Sequence, residues 1–146
     1  MSPTFRVLAS VMCDEVRRDM DGSGIILGAT NRGPALANCE TVLQRLGFYV
    51  EGVAVDVEEV VFRLRNVDED TIVFSDTMTF PYKDDTLTVR PDFDFSKMEV
   101  NVQLMLNLQN LKFEKPGVYQ LEYQILDQPW VEVRTYLFPP QDELEA

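Results

Sequence analysis

The sequence predicts an all-β protein, an antiparallel β-sandwich of eight or nine strands with at most one short helix. Three observations carry that expectation. Residues 98–113, "MEVNVQLMLNLQNLKF", alternate with period two. Residues 58–66, "EEVVFRLRN", set Val60, Phe62 and Leu64 against Val61, Arg63 and Arg65. Residues 113–138, "FEKPGVYQLEYQILDQPWVEVRTYLF", read as two strands joined by a turn. Strict alternation marks a strand with one face buried, and turn residues every eight to twelve positions mark a sandwich.

Taken in order, the first strand spans Thr4 to Cys13, with Phe5, Val7, Ala9, Val11 and Cys13 expected on one face. "DMDGSG", residues 19–24, is dense in turn formers and joins that strand to "IILGAT", residues 25–30, as a hairpin. "NRGPALAN" is a loop by its Gly-Pro step. "CETVLQRLG", residues 39–47, spaces Val42, Leu43 and Leu46 like one helical turn ended by Gly47, and is the one expected helix.

Period two then returns. "FYVEGVAVDV" places Val53, Val55 and Val57 together, with Gly52 expected at a bulge or bend. The strand over 58–66 is expected to leave its arginine face exposed. "TIVFSDTMTF" offers Ile72, Phe74, Met78 and Phe80 as inward residues, and a weaker strand is expected over Thr86 to Arg90. In the next strand Met98, Val100, Val102, Leu104, Leu106 and Leu108 share a face, while Met105 interrupts the polar face of Asn101, Gln103, Asn107 and Gln109.

The final hairpin carries a more specific pattern. Leu111 precedes Tyr119 by eight positions, Pro116-Gly117 makes a corner, and Tyr119, Leu121, Tyr123 and Ile125 alternate inward. This resembles the tyrosine corner of immunoglobulin-like domains, whose ring packs under the sandwich end while its hydroxyl bonds a backbone group a few residues upstream. What the resemblance implies is an immunoglobulin-like sandwich, with Tyr119, Gly117 and Leu111 as structural residues. Leu121 stands where antibody domains carry a cysteine, so their inter-sheet disulfide is not expected. A second resemblance covers most of the sequence. "CDEVRRDMDGSGIILGAT", the middle strands and "PGVYQLEYQILDQPWVEVRTYLF" together look like a family of small uncharacterised bacterial proteins, which implies a bacterial β-sandwich of unknown function and supplies no catalytic residues.

At 146 residues the protein is sized for one domain, expected over residues 1–140, followed by an acidic tail at 141–146 that frays. The net charge of −12 opposes association with nucleic acid or anionic lipid. The acids are scattered among strands and turns rather than set in one regular face, which argues against imitation of DNA. No apolar run is long enough to cross a bilayer as a helix. The stretch before Cys13 is too short, and is broken by Arg6, for a lipoprotein leader, so a cytoplasmic location and reduced Cys13 and Cys39 are expected.

Histidine is absent altogether. That removes Ser-His-Asp and Cys-His catalysis, histidine-ligated zinc and the usual neutral-pH acid/base group. No phosphate-binding glycine loop is present either, so no enzyme and no cofactor are expected. Acid clusters remain: Asp68, Glu69 and Asp70 in one turn, Asp84 and Asp85 in another, and Asp92 and Asp94 in "RPDFDFS". Pooled at one end of a sandwich these could hold calcium, although turns favour Asp in any case. Asp14 with Arg17 and Arg18 is either an ion pair tying down the first hairpin or a polar contact patch for a partner. Trp130, the sole tryptophan, is either core or an interface anchor. The functional expectation is a non-catalytic protein-interaction module, using a sandwich face or edge strand for another protein or a second copy. A ligand- or calcium-binding sandwich is the alternative.

Overall fold

The computed structural model describes residues 3–18, 20, 24–30, 32–79 and 99–141, without the side groups of Arg18 and Gly24. The expected strand over Thr86 to Arg90, the acids Asp84, Asp85, Asp92 and Asp94, the apolar Phe80, Phe93, Phe95 and Met98, most of the first hairpin turn and tail residues 142–146 lie outside them. The described residues form an all-β structure of nine strands: β1 (Thr4–Cys13), β2 (Glu15–Arg18), β3 (Gly24–Leu27), β4 (Thr41–Val55), β5 (Glu59–Asn66), β6 (Ile72–Thr79), β7 (Glu99–Phe113), β8 (Gly117–Gln124) and β9 (Val131–Phe138). They pair antiparallel in a three-stranded sheet β1-β4-β7, a four-stranded sheet β6-β5-β8-β9 and a two-stranded ribbon β2-β3.

The two larger sheets face each other across one apolar core. From the first come Phe5, Met12, Leu46, Phe48, Val50, Leu104 and Leu106; from the second come Phe62, Leu64, Tyr119, Leu121, Tyr123, Tyr136 and Phe138. Aromatic rings fill one end, where Phe113 stacks on Phe138 at 4.9 Å and Tyr119 meets both edge-on at 5.1 Å. The expected alternation holds in β5, where Val60, Phe62 and Leu64 are fully buried. In β6, Phe74 and Met78 pack against the core, whereas Ile72 is exposed.

Three local expectations are corrected. Residues 39–47 form no helical turn: Thr41 onward belongs to β4. Leu43 and Leu46 both face inward because the inward-facing parity slips between them with no shift of the β4-β7 register, opposite the Gln109–Leu111 step of β7 where Asn110 takes φ 55°. That slip produces the three-residue spacing that reads as helical. The bulge expected at Gly52 sits across the ladder in β1, between Val7 and Ala9. Gly52 serves close approach instead, since a Cβ there would lie 2.6 Å from the Phe5 ring. The β1 bulge in turn splits the face predicted for that strand. Phe5 and Val7 join the core, while Val11 and Cys13 point outward against Val16, Tyr49, Ile26 and Met105.

That outer cluster is where the β2-β3 ribbon folds over the three-stranded sheet. Asn107 of β7 holds it there, accepting from the Val16 N–H at 2.9 Å and donating to the Val16 carbonyl at 2.7 Å. Met105, which breaks the polar pattern of β7, is covered by the ribbon.

Candidate functional site

The corner before β8 is built as its residues suggest. Tyr119 is 2% exposed and its hydroxyl donates to the Lys115 carbonyl at 2.6 Å. Leu111 is buried in the same cluster, and Gly117 sits at φ 152°, a backbone region essentially confined to glycine. These residues order the reversal between β7 and β8 and present no reactive group.

The residues expected to form contact patches fall on opposite sides of the molecule. Asp14 lies exposed in the bend between β1 and β2, with its backbone N–H on the Leu27 carbonyl at 2.9 Å. Arg17 pairs with Glu15 at 3.1 Å rather than with Asp14, since residues two apart share a strand face and residues three apart do not. Glu15 also receives Arg45 at 3.4 Å, and the Arg17 hydrogen bond holds its carboxyl below the usual range. The ion pair tying down the ribbon therefore runs through Glu15. The guanidinium of Arg18 lies outside the described atoms.

Trp130 stands at the entry to β9, half-buried, on the outer face of the four-stranded sheet. The Arg63 guanidinium lies over its ring, 3.8 Å from the centroid. Arg63 faces Glu122 directly across the β5-β8 ladder, and its Nε donates to Glu122 Oε1. Arg65 Nε donates to the same oxygen at 3.1 Å, Gln120 Nε2 donates to Oε2 at 3.0 Å, and Arg65 Nη1 reaches Asp70 at 3.1 Å. The arginine face of β5 was expected to be open to water. Instead Glu122 is 3% exposed, because two guanidiniums and an amide close over it. Sequence reasoning missed Glu122, which occupies an ordinary outward position of an alternating strand. Its signal was the register that sets it between two arginines.

The open side of the sandwich, between β1 and β9, holds a groove of about 470 Å³ lined by Arg6 to Ser10, Tyr123 and Val131 to Arg134. Both edges have the features that discourage strand addition. Each has a bulge, the Tyr123 hydroxyl occupies the Phe5 carbonyl at 2.8 Å, and Gly33 and Leu36 cover the end of β9 by bonding Leu137 and Pro139. A second cavity, about 320 Å³, lies beside Cys13, Asp14, Arg32 and Arg45. Burial, with Asp14 nearby, pushes the Cys13 thiol upward, away from a reactive thiolate. Cys13 and Cys39 are both free, one buried and one exposed.

In the acidic turn after β5, Glu69 pairs with Lys115 and Asp70 with Arg65, and the Asn66 amide oxygen accepts from the Asp68 and Glu69 N–H groups at 2.9 Å. Among the described residues no group of three acids, cysteines or histidines is placed to hold a metal. No helix among them is long and apolar enough to cross a membrane.

A family of unknown function, DUF6941, matches residues 8–136. The protein belongs to that family. The DUF6941 match spans the ribbon, both sheets, the tyrosine corner and the Arg63–Glu122–Trp130 cluster, and it assigns no activity to any of them. Among curated proteins, none matches significantly.

Proposed function

We propose that the protein is a non-catalytic interaction module whose contact surface for another protein is the outer face of the four-stranded sheet, centred on Trp130 and Arg63. The observation that carries this is the stacked pair itself. A guanidinium fixed 3.8 Å over the only tryptophan, and anchored behind by a buried carboxylate, is ordered before any partner arrives. Tryptophan and arginine dominate binding energy at interfaces, and side chains already held in place lose little entropy on binding. The bulged and capped edges at β1 and β9 favour this face over either of those two strands as the contact.

An immunoglobulin-like assignment accompanies this reading. Strand order β1-β4-β7 opposite β6-β5-β8-β9, with the corner tyrosine opening β8, is the arrangement that supports it. Such sandwiches host many activities, so it is the patch, and not the fold, that points to a function. The bacterial, cytoplasmic setting stays part of the proposal.

The test is site-specific photo-cross-linking in producing cells. A cross-linking residue at Thr135, exposed on this face, should capture a discrete protein. The same residue at Gln103, on the other sheet, should not, and Trp130→Ala should abolish the Thr135 product. Equal capture from both faces, or indifference to Trp130→Ala, would overturn the reading.

A further inference from the structure

We infer that Arg63 recognises a carboxylate, and that the partner presents an acidic peptide segment to the Trp130–Arg63 patch; this rests on the contact-face reading above. Part of the donor set around the patch is already used. Arg63 Nε is committed to Glu122, and the guanidinium plane is held against the indole ring. Its two terminal nitrogens have no protein partner among the described residues, although the side chain is 24% exposed. Arg65 differs, because it spends Nε on Glu122 and Nη1 on Asp70. The indole N–H of Trp130 likewise has no partner among the described residues. These unused donors belong to two side chains in direct contact.

The complement to such a set is a planar anion. Two parallel N–H groups at the end of a fixed guanidinium match the two oxygens of a carboxylate. Glu122 is a positioning residue here: it holds the fork and leaves the outward end open. The surroundings select against a dianion. Glu132 faces Glu122 across the β8-β9 ladder, Asp70 flanks Arg65, and the protein's net charge is −12. Repulsion from those charges grows with ligand charge, so a single carboxylate is favoured over a phosphate. The carboxylate is the side group of an Asp or Glu within that segment.

Because Trp130 is the only tryptophan, its fluorescence reports the site directly. The probes are Ac-Gly-Glu-Gly-NH2, its Gln counterpart, Ac-Gly-Gly-Gly-OH and inorganic phosphate, titrated into the full-length protein at constant ionic strength. A saturable spectral change is expected with the Glu peptide, and a stronger response to the free C-terminus would overturn the acidic-segment assignment. The Gln peptide and phosphate should bind at least tenfold more weakly. Arg63→Lys, which keeps the Glu122 ion pair but loses the fork, should weaken the response at least fivefold with the melting temperature retained. An equal response to the Gln peptide or to phosphate, or an unchanged response in Arg63→Lys, would overturn the inference. No response to carboxylates, with Thr135 cross-linking intact, removes the carboxylate and leaves the contact face standing. Loss of both removes both.

Discussion

Asn107 does for Val16 what a neighbouring strand would do, taking its N–H at 2.9 Å and giving to its carbonyl at 2.7 Å. One side-chain amide thus completes the backbone pairing of a buried residue on a short ribbon. Val16 is 2% exposed, so water cannot substitute. Asn107→Leu should cost about 1–3 kcal/mol, the penalty for unsatisfied buried groups. Hydrogen exchange should speed up across residues 15–27 and stay unchanged in β5 and β8. A uniform acceleration would show that the ribbon is not held locally.

Tyr119→Phe removes the hydroxyl that donates to Lys115 and leaves the ring packing intact. The expected loss is about 1 kcal/mol, the net worth of one hydrogen bond. Tyr123→Phe, which frees the Phe5 carbonyl on the β1 edge, should cost about as much. Urea denaturation measures both, and no change in the midpoint for Tyr119→Phe would mean the corner bond contributes nothing.

Glu122→Ala strips the shared acceptor from Arg63 and Arg65. Removing one partner of a buried pair costs about 3–5 kcal/mol, and the low end, about 3 kcal/mol, applies because both guanidiniums keep some water. Adding Arg63→Met should recover part of that loss by removing a stranded charge. If the double variant is less stable than Glu122→Ala alone, the pair is not coupled as described.

High pH should unfold the protein early. Burial pushes Cys13, Tyr123 and Tyr136 upward, with Asp14 adding to the effect at Cys13. Each group keeps its proton to higher pH folded than unfolded, so the unfolded state ionises first. The stability they confer is full below about pH 8.5 and is lost as pH rises through about 10 and above. Melting temperature measured from pH 7 to 11 should fall along that window, and Cys13→Ala should flatten its lower part. A flat profile to pH 11 would contradict the burial assigned to these groups.

The strands that were legible are those whose two faces meet different surroundings along their whole length. In β5 the alternation of Val60, Phe62 and Leu64 with charged residues is the buried pattern itself. The longer strands β1 and β4 could not be read through, because each changes which parity faces inward. In β1 a bulge after Val7 does this, and in β4 the slip after Leu43 does. Neither event is marked by the residue types of β1 or β4 themselves. The site was half legible. Trp130 stood out as the single tryptophan, but its partner Arg63 comes from a remote strand, and only the β5-β8 register joins them through Glu122. Arg17 takes Glu15, two residues away on the same strand face, as its partner.

Central strand β4 has a consequence for how quickly the molecule can assemble. Its neighbours are not hairpin partners: Thr4 aligns with Val55 and Thr41 with Phe113, so both flanking ladders close long stretches of backbone. Every such closure costs conformational entropy before the first contact rewards it. The two hairpins of the opposite sheet, β5-β6 and β8-β9, can form early from adjacent segments. They cannot bury their inner aromatics until β4 has recruited β1 and β7. Folding should therefore be limited by that step and fall in the millisecond-to-second range of non-local β proteins. Until it is complete, Phe62, Tyr119 and Phe138 face water on a half-built sheet, and that interval is when the molecule is most exposed to aggregation.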